Sequence, residues 1–87
     1  MPYTVSVKPK AEKYLDGIRD ARLYQRLRDA IGGLASNPRP PGCLKMLGED
    51  GLYRVRVGDY RIIYQIQDAV LVVLVVQIGN RREIYRQ

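Results

Sequence analysis

Through residues 52–66 apolar and polar side chains alternate on both sides of Gly58-Asp59, the pattern of two strands joined by a tight turn. Glycine in the first turn position suits type II′ geometry, whose twist matches that of antiparallel strands. Register follows by counting outward. Val57 faces Tyr60, Arg56 faces Arg61, Val55 faces Ile62 and Arg54 faces Ile63. Because successive side chains in a strand point to opposite faces, Tyr53, Val55, Val57, Tyr60, Ile62, Tyr64 and Ile66 share an apolar face, while Arg54, Arg56 and Arg61 gather on the other.

The flanking segments predict the rest of the fold. Tyr3, Val5 and Val7 alternate with polar residues, giving a short N-terminal strand that ends at Pro9. Ala11, Tyr14, Leu15 and Ile18 follow helical spacing from Pro9 to about Asp20, and Leu23, Leu27, Ala30, Ile31 and Leu34 continue it to about Ala35. The proline-rich run from Ser36 to Gly42 cannot continue a helix. Leu44 to Leu47 is a short strand candidate with Lys45 pointing opposite Leu44 and Met46, and Gly48-Glu49-Asp50-Gly51 turns the chain into the hairpin. After a two-residue turn at Gln67-Asp68, the apolar run from Ala69 to Ile78 reads as a strand covered on both faces at the centre of the sheet. Gly79-Asn80 breaks it before a basic tail, Arg81 to Arg86, that is a candidate for a last short strand. The expectation is one α+β domain over residues 1–87: an N-terminal strand, a helical hairpin, then an antiparallel sheet with the helices packed on one face. The arginine face is left open.

Charge sharpens the interest in that face. Lysine plus arginine number 15 against 9 acidic residues, a net charge of +6, and eleven of the fifteen cations are arginine, the side chain whose planar fork matches phosphate oxygens. Like charges directly across a strand pair cost about a few tenths of a kcal/mol. An external phosphate would remove that cost; a merely solvated outer face is the competing reading. The cations on the helices, Lys10, Lys13, Arg19, Arg22, Arg26 and Arg28, are mixed with Glu12, Asp16, Asp20 and Asp29 and read as a solvated face.

Other chemistries are restricted. There is no histidine and a single cysteine, Cys43, which excludes the usual zinc and copper constellations and an internal disulfide. The apolar run from Ala69 to Val76 is too short to span a bilayer. No metal, small-molecule cofactor or membrane is expected, and the cysteine usage suits a cytoplasmic protein.

The ordered set of features, 53–66 with its arginines, the apolar strand, then Gly79-Asn80-Arg81-Arg82-Glu83-Ile84-Tyr85, together with the helical hairpin, the Asn37-Pro38 break and Leu44-Lys45-Met46-Leu47, resembles the RelE branch of the RelE/ParE toxin superfamily. The resemblance implies a type II toxin that cuts mRNA in the ribosomal A site without a metal, by attack of the ribose 2′-oxygen on the neighbouring phosphate. It places the catalytic positions on Arg54, Arg56, Arg61, Arg81 and Tyr85, with Lys45, Arg82 and Arg86 as further RNA contacts. It implies a RelB-like antitoxin partner, and a ribosome carrying mRNA and rRNA. One departure is chemical: the best-known members carry lysine at the two strand positions held here by Arg54 and Arg56, and arginine is a poor proton donor. Arg56 is then expected to neutralise the leaving oxygen by charge, and Tyr85 to act as base once neighbouring cations lower its pKa. A core role for the Tyr85 ring and solvated tail charge for Arg81 and Arg82 compete with these assignments. The same fold also accommodates a ParE-like DNA gyrase inhibitor or a catalytically inactive RNA-binding relative.

Overall fold

The computed structural model describes residues 2–48 and 51–80. The chain runs β1 (Thr4–Val7), α1 (Pro9–Asp16), α2 (Ala21–Gly33), β2 (Leu44–Lys45), β3 (Leu52–Val57), β4 (Tyr60–Gln67) and β5 (Val72–Asn80), with a 3₁₀ turn at Asp68–Val70. The sheet order is β1-β5-β4-β3-β2, so α+β with helices on one face is the architecture.

Local chemistry sets the helix ends. Pro9 opens α1, where its missing N–H costs nothing. The first helix stops at Asp16, earlier than its apolar spacing suggests, because Asp20 caps the second: its carboxylate accepts from the Arg22 and Leu23 backbone N–H groups at 3.0 and 3.2 Å. Such a cap stabilises a helix by about 1 kcal/mol. Ala11 and Leu15 of α1, Leu27 and Ile31 of α2, and Leu34 beyond its end turn inward onto Ile62, Tyr64, Ile66, Val73, Val75 and Ile78.

The β3–β4 hairpin has the register that the sequence predicts, from Val57 opposite Tyr60 to Arg54 opposite Ile63. Gly58 takes φ +59° and Asp59 stays out of the left-handed region, as a type II′ rather than a type I′ turn requires. The antiparallel meander runs from β2 to β5, and β1 adds to it in parallel, with Val5 beside Val73 and Val7 beside Val75. The sheet is therefore mixed. Three sequence expectations change. Gln67-Asp68 is not a two-residue turn: the chain makes a 3₁₀ turn and passes through Leu71 at φ +55°, so β5 starts at Val72 instead of Ala69. The centre of the sheet is β4. The apolar run in β5 buries Val73, Val75 and Ile78 but leaves Leu74 and Val76 half-buried, so it is fully covered on one face only.

A register shift in β5 places the site. Ile63 pairs with Gln77 while Tyr64 pairs with Val75, leaving Val76 as an extra residue. This bulge reverses the phase of the strand. Without it Gln77 would enter the core after Val75; with it Ile78 does, and Gln77 and Gly79 turn to the open face.

The opposite end of the hairpin is tied down by side chains. Tyr64, fully buried, donates its hydroxyl to the Pro38 carbonyl at 2.8 Å and stacks on Tyr53 with centroids 6.1 Å apart. Burial pushes the Tyr64 phenol well above its ordinary pKa, with Cys43 adding to the effect. Arg39 donates to both Asp68 carboxylate oxygens at 2.9 and 3.4 Å and to the Tyr53 hydroxyl at 3.3 Å, and Tyr3 donates to Asp68 at 2.6 Å. Hydrogen bonds from Arg39 and then Tyr3 hold the Asp68 carboxyl below the usual range, while the bond to Asp68 is the main cause that raises the Tyr3 phenol. The stabilisation from Asp68 is complete above its unfolded pKa of about 3.9 and is lost as pH falls through the lower folded value. That from Tyr3 is complete below about pH 10 and is lost as pH rises through the higher folded value. Thermal melts of wild type and Asp68→Asn should therefore differ by a constant Tm gap near neutral pH that shrinks at both extremes. A gap independent of pH would remove this network from the account.

Candidate RNA-binding face

The open face of the sheet is built in two rows. Across β3, β4 and β5 one row is Arg56, Arg61 and Gly79, and the next, one pleat away, is Arg54, Ile63 and Gln77, extended onto β2 by Leu44. Partners in such rows have Cβ atoms about 4.5–5.5 Å apart, so Arg56 and Arg61 are held as neighbours by main-chain pairing.

Burial differs within the set. Arg56 is exposed and Arg54 half-buried, whereas Arg61 is only 7% exposed, the one charged residue in the buried set. The burial of Arg61 departs from the solvated outer face considered from the sequence, whereas exposed Arg56 fits it. Arg61 pairs with Arg56 on one side and with Gly79 on the other, and Ile63 in the next row is likewise buried. Adjacent cations are an arrangement that attracts phosphate, and charge interactions strengthen as water is excluded.

Pleating separates Lys45 from this group. It pairs with Tyr53, on the helix side of the sheet, while Leu44 occupies the arginine side with 53% of its surface exposed. The strand candidate Leu44–Leu47 also shortens to two residues, and Leu47 is 97% exposed. Arg81, Arg82, Tyr85 and Arg86 lie outside the described residues, as does the last strand candidate.

Two arginines acquire definite partners: Arg39, which sequence reasoning left aside, and Arg28, which it read as part of a solvated face. Arg39 closes the cluster with Asp68, which lies 29 residues away; no local pattern announces such a pairing. Arg28 of α2 pairs with Glu12 of α1 and donates to the Tyr24 hydroxyl at 2.9 Å. Bonds to Glu12 and then Tyr24 raise the pKa of Arg28, and bonds to Asp68 and then Tyr53 raise that of Arg39. Both charges are spent inside the fold.

Among the described residues no three histidine, cysteine, aspartate or glutamate side chains converge as a metal site, and no helix is long and apolar enough to cross a membrane.

The fold is that of a small toxin domain, and comparison with known proteins assigns the family. Residues 5–85 match the family described as the ParE toxin of type II toxin-antitoxin system, parDE. The chain is 30% identical to Toxin RelG of Mycobacterium tuberculosis over 87 residues, covering 100% of both chains. It is 29% identical to Toxin RelE of the same organism over 85 residues, covering 98% of this chain and 88% of that one. Among solved structures, the archaeal RelE-RelB complex from Pyrococcus horikoshii OT3 superimposes with a TM-score of 0.81 at 29% identity, over 93% of this chain and 97% of that chain. The chain belongs to the RelE/ParE superfamily of type II toxin-antitoxin toxins.

Proposed function

We propose that this toxin is a ribosome-dependent mRNA endonuclease that cuts in the ribosomal A site and so halts translation. The observation that carries the reading is the directly opposed pair Arg56–Arg61 on the helix-free face, with Arg54 in the adjoining row. Attack of the ribose 2′-oxygen on the adjacent phosphorus concentrates negative charge on the phosphorane oxygens. Preorganised guanidinium groups stabilise that charge better than mobile water does. Arg56 meets the phosphate at the surface, and Arg61, its cross-strand partner, adds a second positive charge beside it. Arg81 joins them in stabilising charge. Arginine with a pKa above about 12 is a poor acid, so Arg56 neutralises the leaving 5′-oxygen by charge, and Tyr85 takes the proton from the 2′-hydroxyl.

This equipment for proton transfer is weak, so the ribosome is required to hold the RNA near its in-line geometry. A RelB-like antitoxin is the partner, which the RelE-RelB complex that shares the fold supports, and its proposed effect is to mask the basic face. The site of action is the cytoplasm, where ribosomes are. Purified protein added to programmed ribosomes should cut within the A-site codon and leave free mRNA intact. Uncut A-site codons, or equal cutting of naked RNA, would contradict the proposal. The ParE family match favours a second reading, gyrase poisoning; gyrase-linked DNA breaks in expressing cells, with intact mRNA, would establish it.

A further inference from the structure

The bulge at Val76 moves an amide as well as a glycine. By setting Ile63 opposite Gln77 it brings Gln77 out of the core and onto the open face, half-buried, in the row of Arg54 and Ile63. Bulges commonly re-aim a side chain beside a functional surface. Arg61, one pleat along β4 from Ile63, is the diagonal neighbour of Gln77. Diagonal pairs lie about 7–8 Å apart, within reach of long side chains, so the Gln77 amide and the Arg61 guanidinium can touch one nucleotide.

Two other glutamines stand on this face, and they are bonded to each other: Gln67 Nε2 donates to Gln65 Oε1 at 2.9 Å. The Gln77 amide has no hydrogen-bond partner among the described residues. Neither its own row nor the rows on either side, Arg56-Arg61-Gly79 and Leu52-Gln65-Leu74, contain a carboxylate. A neutral amide adds no charge for a phosphate, but it offers a donor and an acceptor side by side. The base edge that this pair fits bidentately is that of adenine, where N6 donates and N7 accepts. Single-stranded RNA is read in this manner, by hydrogen bonds to the edges of splayed bases.

We infer that Gln77 is a specificity-determining residue that reads adenine at the base adjoining the phosphate held by Arg56 and Arg61. The inference rests on the nuclease reading and deepens it, from mRNA in general to codons with adenine at the cut. Gln77 touches no reacting atom. It favours adenine by holding that nucleotide in register with the arginines.

The test is cleavage on programmed ribosomes whose A-site codon carries each of the four bases in turn on either side of the cut, by wild type and by Gln77→Leu, which fills similar space without hydrogen bonds. At one of the two positions wild type should cut adenine about tenfold or more faster than the other bases, and Gln77→Leu should bring adenine down to their level. A message with 7-deazaadenine at that position probes the contact without altering the protein: loss of N7 should slow wild type about fivefold and make no difference to Gln77→Leu. Equal cutting of all four bases by wild type, or preference for a base other than adenine, overturns the inference. So does an adenine preference that survives in Gln77→Leu, or a wild type indifferent to 7-deazaadenine. Failure of the nuclease reading is distinguishable. Should wild type cut nothing, its affinity for the same ribosomes decides: adenine-dependent binding that Gln77→Leu loses leaves the base contact standing, and equal affinity for all four bases overturns it.

Discussion

Replacing Arg61 by alanine is expected to slow single-turnover cleavage of ribosome-bound mRNA by about 10²–10³-fold, the usual effect of removing one preorganised donor from a site of developing charge. Arg61 is central in its row, between Arg56 and the bare backbone of Gly79, and is buried. No other described cation occupies that place on β4, so truncation leaves the phosphorane facing a gap. Ribosome affinity should fall far less than the rate, since Arg54 and Arg56 remain at the surface. Arg61→Lys should recover only part of the rate, because an ammonium supplies a point charge where a planar fork is needed. Full cutting by Arg61→Ala would remove this residue from the mechanism.

The second large effect concerns stability. Tyr64→Ala should destabilise the fold by about 3–5 kcal/mol, as aromatic truncations in packed cores do. The ring is wholly buried on the central strand, stacks on Tyr53, and its hydroxyl holds the Pro38 carbonyl where the chain leaves α2. Tyr64→Phe isolates the last contribution and should cost about 1–3 kcal/mol, because the buried Pro38 carbonyl loses its donor. Urea denaturation measures both; a Phe variant as stable as wild type would show that the hydroxyl contributes nothing.

Much of this was legible in the sequence, for reasons that differ by element. The hairpin register could be counted because Gly58-Asp59 admits one tight turn and each strand has one apolar face. The helical hairpin followed from three-four spacing, although its first helix ends sooner because Asp20 is taken as a cap. The parallel pairing of β1 was not legible: strand partners far apart in sequence leave no periodic trace. Nor was the bulge at Val76, since a run of β-branched residues reads the same in either phase. That bulge shapes the proposed site, because it puts Gly79 rather than a larger side chain opposite Arg61. The Arg39–Asp68–Tyr3 cluster and the reach of Arg26 to Gly58 depend on contacts between distant segments, so Arg39 drew no reading and Arg26 looked like ordinary surface charge. Lys45 shows the converse. Its side of the strand relative to Leu44 was read correctly, but only pairing with Tyr53 showed that this side faces away from the arginines.

The most direct test of the account uses programmed ribosomes carrying either an all-ribose mRNA or the same message with 2′-deoxyribose in the A-site codon. With the 2′-oxygen as nucleophile and the arginine face as its electrostatic support, the ribose message is cut and the deoxy message survives. Cutting of the deoxy message, or survival of both, would contradict it.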